Sequence, residues 1–359
     1  MKKSSSPYYL TIPFVSPETS ETCTSYTLSI YVWSGLEASV PLTATYTMTK
    51  YNPSLSIGND EINIARVIKP QITFTPLKAT STSLLDSSNQ VWVRTEVEYV
   101  TGNPTDTGLA QLINTELFSR GYAYGYEGAN KSTPSNKILL SGTEFNISRS
   151  SYFSLPIDMQ GYDYPTNDAI SVISYPDNEI NMTFTKTLTT DSGEVVRYII
   201  VDASEMSTDN YVEIIYNGIT ITLNVIDECR YTPIDIYFSN KEGAQQSLTF
   251  FKSLTNNMTV TSEQFESDRG QPSLGFHQYV KYNVQAKSKF KVNSGFVDED
   301  MNETFKQLLL SDKVWKLSNN IFTPLNISTT SLEYKTRQKD RLINYEIEFE
   351  YAYNEINNI

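Results

Sequence analysis

Residues 343–353 read Ile343-Asn344-Tyr345-Glu346-Ile347-Glu348-Phe349-Glu350-Tyr351-Ala352-Tyr353. Large apolar side chains recur at every second position. Period two is the strand period, because successive side chains point to opposite faces. Ile343, Tyr345, Ile347, Phe349, Tyr351 and Tyr353 therefore face one way, and Glu346, Glu348 and Glu350 the other. Residues 280–292 repeat the pattern with the opposite charge. Val280, Tyr282, Val284, Ala286, Ser288, Phe290 and Val292 share one face, and Lys281, Lys287, Lys289 and Lys291 the other. A basic row and an acidic row suit cross-strand pairing, and like-charged rows discourage stray edge pairing. The two strands are expected in one sheet, apolar faces toward a helix over 298–311. There Met301, Phe305, Leu308 and Leu309 form a stripe behind the acidic turn Asp298-Glu299-Asp300, which favours a helix N-terminus. A short strand is expected near Pro324-Leu325-Asn326-Ile327.

The same period runs toward the N-terminus. Tyr26, Leu28, Ile30 and Val32 alternate, as do Val91, Val93, Thr95, Val97 and Tyr99. Two strands within 211–226 meet at Asn217-Gly218, a two-residue hairpin signal because both residues tolerate positive φ. Residues 234–238 and 246–251 follow as strands. Thr107–Ser119 places Leu109, Leu112, Ile113 and Leu117 at helical spacing with Gly121 as a stop. Turn-rich breaks at 155–165 and 266–275 divide the chain into an N-terminal β-sandwich (1–155), a middle β domain (156–265) and a C-terminal β domain with the 298–311 helix (266–359). The fold class is mainly β: tandem sandwich- or barrel-like domains, one or two short helices, and a C-terminal sheet covered by a helix.

Charge and composition exclude more than they identify. A net charge of −13 over 359 residues argues against a basic nucleic-acid footprint and against an anionic membrane surface. A single histidine, His277, rules out multi-His zinc sites and HExxH, and no GxSxG elbow stands near it. It reads as a surface or strand-end residue. Cys23 and Cys229 are the two cysteines; no CxxC occurs. One bridge or two free thiols both remain open, with free thiols the expectation. The start lacks an apolar signal core, and no apolar run reaches 18 residues, so neither signal peptide nor membrane span is expected. No P-loop, GxGxxG or EF-hand pattern occurs. The five Asn-x-Ser/Thr sequons read as chance matches in an Asn/Ser/Thr-rich chain.

No catalytic, metal or cofactor residues are expected. The carboxylate clusters have plain roles as a helix turn, a strand face and a strand end. Arg120-Gly121-Tyr122-Ala123-Tyr124-Gly125-Tyr126-Glu127-Gly128 reads either as a half-buried strand with its tyrosines on one face or as a platform that stacks on sugars. Tyr122, Tyr124, Tyr126, Trp33 and Trp92 are the candidate interaction residues: an exposed platform favours ligand binding, buried rings favour assembly. The Ser-rich start Lys2–Pro7 reads as flexible when free, and segment 1–10 as a contact ordered by a neighbour.

Three stretches carry a family resemblance. Residues 227–244 fit Glu-Cys-x-Tyr-x-Pro-x-x-Ile-x-Phe-x-Asn-x-x-Gly. Asn302–Trp315 follows, and Ser331–Arg337 with Arg341–Tyr351 closes the chain. Together, over roughly 195–359, they resemble tail-associated structural proteins of tailed phages infecting Bacteroidetes, including the crAss-like group. The resemblance implies a virion component of a tail, tail hub or head–tail connector, assembled in the host cytoplasm as a homo-oligomeric ring with neighbouring virion proteins. It brings no catalytic residues. A polar, Tyr-rich surface suits such contacts, since interface cores deplete charge and enrich aromatics. The alternative is a carbohydrate- or receptor-binding tail or adhesin module using exposed aromatics; a β-scaffold glycosidase is a third reading with no sequence support.

Overall fold

The computed structural model describes the chain apart from residues 17–19, 21, 54, 56, 79–80, 82, 87–88, 102–109, 134–137, 159–166, 176–178, 188–195, 206–210, 217, 229, 268–274, 276, 335–342 and 357–359. The protein is mainly β, with several sheets and two short α-helices. It groups into two compact units. The first comprises Met1–Phe145, Arg149–Val225 and Ser239–Gln246; the second comprises Asn146–Ser148, Ile226–Phe238 and Ser247–Ile359. The breaks expected at 155/156 and 265/266 fall inside strands β10 (Tyr152–Asp158) and β18 (Thr255–Glu266). Pro156 does not end β10, because β10 is an edge strand, where a missing N–H is tolerated.

In the first unit a five-stranded sheet runs in the order β1 (Lys2–Lys3), β8 (Ala110–Ser119), β7 (Gln90–Thr101), β3 (Cys23–Trp33) and β4 (Tyr46–Tyr51). Only β1 and β8 pair in parallel. The faces expected on β3 and β7 form: Tyr26, Leu28, Ile30, Val91, Val93, Val97 and Tyr99 are all buried. They pack against Leu10 and Ile12 of β2 (Tyr9–Pro13), Ile62 of β5 (Asn59–Asn63) and Ile68 of α1 (Ala65–Ile68). This makes a sandwich of the five-stranded sheet against β2–β5 and α1. The opposite face is covered too, at one end. Trp33, Trp92 and Leu117 pack with Val196, Tyr198 and Ile200 of β13 (Val196–Asp202), the centre of a sheet ordered β10, β13, β6 (Ser83–Asp86).

Burial of both faces at its C-terminal end, and a bulge before it, make Ala110–Ser119 a strand and not the expected helix. Leu117 lies in one core and the adjacent Phe118 in the other. Ile113 is an extra residue in the β7–β8 ladder, where Thr95 opposes Asn114 and Glu96 opposes Leu112. The exposed Ile113 stands four residues before Leu117, and with Leu112 beside it the spacing imitates a helical stripe. Leu109 of that reading lies outside the described residues.

The third sheet of this unit is ordered β12 (Glu179–Thr187), β11 (Asn167–Tyr175), β14 (Tyr211–Tyr216), β15 (Ile219–Ile226), β9 (Glu144–Ser148). The Asn-Gly hairpin forms as expected: Tyr216 opposes Ile219, and Gly218 has φ +75°. Asn217 itself is not among the described residues.

The second unit is built on a seven-stranded sheet, ordered β17 (Gln245–Phe250), β16 (Ile234–Ser239), β20 (Val314–Ser318), β21 (Ile321–Ile327), β22 (Glu346–Tyr351), β19 (Tyr279–Asn293), β18. Strands assigned to a middle domain thus share the C-terminal sheet. The pairing expected from charge and period is present: Lys289 opposes Glu350, Phe290 opposes Phe349, and Val292 opposes Ile347. Lys287 reaches Glu350 at 2.8 Å, Lys289 bridges Glu350 and Glu348 at 3.5 and 3.6 Å, and Lys291 pairs with Glu346. The 298–311 helix is a 3₁₀ turn (Glu299–Met301) leading into α2 (Asn302–Leu310). Phe305 sits 4.5 Å from the Tyr345 ring centroid and 6.3 Å from Phe250, which in turn edges onto Phe349.

One expectation for β19 fails. Its residues do not keep one face throughout, because Asn283, at φ +49°, begins a bulge. Thr261 opposes Gln285 but Glu263 opposes Tyr282, so β19 spends one residue more than β18. An extra residue resets the alternation. Val280 and Tyr282 therefore lie on the face of Lys287 and Lys289, not with Ala286 and Phe290.

Candidate functional site

Tyr122, Tyr124 and Tyr126 come together, in a loop and not in a strand. A 3₁₀ turn over Gly125–Glu127 folds the segment back. Tyr124 and Tyr126 stack with centroids 5.5 Å apart, and Tyr122 meets Tyr124 edge-on at 5.9 Å. The Tyr124 N–H donates to Glu127 Oε2 at 2.7 Å, and the Glu127 N–H donates to the Tyr124 carbonyl at 2.9 Å. Lys241 completes the group. Its ammonium lies 4.4 Å from the Tyr124 centroid and 2.6 Å from Glu127 Oε1. Desolvation pushes the Glu127 carboxyl up. The Lys241 hydrogen bond, the Tyr124 N–H and the charges of Lys241 and Lys3 outweigh it and leave the carboxyl below its ordinary range. Tyr126 is 82% exposed, whereas Tyr122 and Tyr124 are half-buried.

The loop is held by backbone. The Tyr122 N–H donates to the Lys241 carbonyl at 2.8 Å, and Ser119 Oγ donates to the Glu242 carbonyl at 3.1 Å. Two glycines permit the approach. A Cβ on Gly121 would lie 2.9 Å from the Glu242 carbonyl, and one on Gly243, at φ +79°, would lie 2.4 Å from Gly121 N. The N-terminal segment packs beside it, ordered by its own chain and not by a neighbour. Ser4 and Ser5 N–H groups donate to the Ser119 and Gly121 carbonyls at 2.9 and 3.0 Å, and the buried Lys3 pairs with Glu242 at 2.8 Å. The expectation of a free, flexible Lys2–Pro7 is therefore overturned: each residue from Lys2 to Ser6 is tied by strand pairing or hydrogen bonds.

Trp33 and Trp92 do not join the tyrosines as surface rings. Both are buried, pack in one core, and donate their indole N–H groups to the carbonyls of Leu36 and Gly35 at 2.8 and 3.0 Å. A buried indole with its N–H satisfied is a structural anchor, so these two residues leave the candidate surface. His277 is exposed. Cys23 is buried in the first core; Cys229 is not among the described residues. Among the described residues no group of three or more His, Cys, Asp and Glu is placed to hold a metal ion, and no helix is long and apolar enough to cross a membrane.

In the second unit the composition gave no warning of the most unusual surface. All twelve residues of β18 are exposed, and so are Tyr279, Lys281, Tyr282 and Gln285 on the adjoining half of β19. The two strands form an antiparallel ribbon at the sheet edge, with solvent on both faces. Met258, Val260, Phe265, Tyr279 and Tyr282 are all exposed along it, and Phe265 meets Tyr282 with centroids 5.8 Å apart. The available signal was the run Thr255–Glu266, whose only large apolar residues, Met258, Val260 and Phe265, make no continuous apolar face. Compared with family models, with curated proteins and with solved structures, the chain finds no match in any of the three.

Proposed function

We propose that the chain is a structural subunit, not an enzyme, that acts by assembling with copies of itself and with neighbouring proteins. In its finer form the reading is a subunit of a phage tail, tail hub or head–tail connector ring. The single observation that carries assembly is the β18–β19 ribbon. A two-stranded ribbon exposed on both faces is marginal by itself, and a long edge strand bearing apolar side chains is a template for association. The phage setting is supported by the resemblance of residues 227–244, 302–315 and 331–351 alone. Mass photometry of the purified chain across a concentration series, with negative-stain images, tests the reading. Closed rings, or oligomers that grow with concentration, are expected. A strict monomer at every concentration overturns self-assembly.

A second reading, glycan binding, is favoured by Tyr126. Its ring is exposed beside the stacked Tyr124, with Glu127 and Lys241 at hand for hydroxyl groups. Retention on a glycan array that Tyr126→Ala abolishes would favour this second reading; under the leading reading no glycan is retained.

A further inference from the structure

Lys316 differs in setting from the other lysines that flank it in the chain's charge pattern. Lys50, Lys241, Lys252 and Lys287 each pair with a carboxylate. Lys78, Lys131 and Lys281 are exposed. Lys316 does neither. In β20 it opposes Ile236 on one side and Thr323 on the other. Directly opposed residues share a sheet face, and Ile236 is fully buried, so β20 turns a lysine toward the apolar side of the sheet.

The long stem carries the amine to an aromatic row. Lys316 Nζ lies 5.0 Å from the centroid of the buried Phe290 ring. That ring touches Phe349 at 5.5 Å and Tyr351 at 5.3 Å. Among the described residues the amine has no hydrogen-bond or ion-pair partner. It is half-buried but still open to solvent. The titratable groups on this side of the sheet are Tyr351, Tyr353 and Glu355. Glu355 accepts the Ser288 hydroxyl and stands beyond ion-pair distance of Lys316. Lys287, Lys289 and Lys291 lie on the opposite face, paired with Glu346, Glu348 and Glu350. Burial holds Lys316 below the ordinary lysine value, because an aromatic ring solvates an ammonium less well than water does and no anion replaces the lost water.

We infer that Lys316 is an acyl-accepting nucleophile, a modification site for neutral activated acyl donors of the thioester or anhydride class. A desolvated lysine with no carboxylate holding its proton offers a free lone pair. That pair attacks the acyl carbon. The Nζ–C bond forms, the bond from carbon to the thiolate or carboxylate leaving group breaks, and the proton released from Nζ goes to water. The Phe290 and Tyr351 rings supply an apolar wall for the acyl chain. The product is a neutral amide, so acylation deletes a positive charge from the aromatic side of the sheet.

Trace labelling of the intact folded chain with acetic anhydride, resolved residue by residue by peptide mass spectrometry, tests this. At pH 7, and at a dilution where the chain is monomeric, Lys316 is expected to acetylate at least about threefold faster than Lys78, Lys131 and Lys281. Its rate is expected to level off at a lower pH than theirs. In urea the advantage is expected to vanish, since the fold creates it. Lys316→Arg is expected to remove this fast site and leave the three reference rates unchanged. Equal or slower labelling of Lys316 in the folded chain overturns the inference. So does an advantage that persists in urea, because local sequence and not the fold would then be its source.

Discussion

Gly243 and Gly121 bring two distant backbones into contact that any side chain would part. Gly243 needs both its positive φ of +79° and the missing Cβ, which would fall 2.4 Å from Gly121 N. Gly243→Ala is expected to lower stability by about 2–3 kcal/mol, combining left-handed strain with a forced backbone shift. The urea midpoint of the full chain checks it. Gly125→Ala is the matching control, since nothing lies within 4 Å of its Cβ position; its expected effect is within about 0.5 kcal/mol. The tyrosine cluster was legible in the sequence as a candidate, because Tyr-x-Tyr-x-Tyr is visible at once. Its form was not. The alternation imitates a strand, and the residues that bend it into a loop act through Lys241 and Gly243, more than a hundred positions away. The tryptophans misled for a different reason: large aromatic rings serve platforms and cores equally well, and only the carbonyls of Gly35 and Leu36 decide which.

Between elements, the lysine–glutamate ladder of β19 and β22 makes a pH-dependent contribution. The hydrogen bond from Lys287 leads the causes that hold Glu350 below its ordinary 4.5. A carboxyl depressed in the folded state stabilises above its unfolded pKa, and that stabilisation is lost as pH falls through the folded pKa. Stability is therefore expected to drop on acidification below about pH 4.5, and Lys287→Ala to flatten that drop at low salt. Urea midpoints at pH 3, 4 and 7 check it; the ladder is solvent-washed, so the effect is small. Phe305→Ala is the large change: it empties the contact of α2 with Tyr345 and Phe250, and about 3–5 kcal/mol of stability is expected to go with it. Denaturant unfolding reads this directly. The ladder and the helix were readable because between 286 and 292 the strand alternates without interruption. The far half of β19 was not, because one asparagine in a left-handed conformation leaves only a faint trace in a sequence. The Ala110–Ser119 strand imitates a helix because the extra residue Ile113 breaks the alternation and falls four residues before Leu117.

For the whole molecule, fold class was accessible from the period of the apolar residues, but unit boundaries were not, because the chain leaves the first unit at 225 and re-enters it for Ser239–Gln246. That short return is fastened on all sides. Gln245 exchanges hydrogen bonds with the Leu77 backbone at 2.7 and 3.2 Å and donates its N–H to Tyr198 Oη at 2.8 Å. Asn240 Nδ2 donates to the Leu139 carbonyl at 2.6 Å. A fragment ending at 225 loses every one of these partners. Each buried polar group left unmatched costs about 1–3 kcal/mol, so residues 1–225 alone are expected to lack the near-UV circular dichroism of a fixed core, and a fragment with native-like signal would refute this. The consequence reaches into synthesis. On the ribosome, Lys2 and Lys3 are made well before their partners and must wait for Phe118 and Ser119, and the loop beside them waits for Lys241 and Gly243. The N-terminal half cannot lock as it is made; thirteen residues of the other unit, Ile226–Phe238, are translated before its last piece arrives. An unfinished chain therefore carries its open seam through most of translation, and it is there that a holding chaperone would find it.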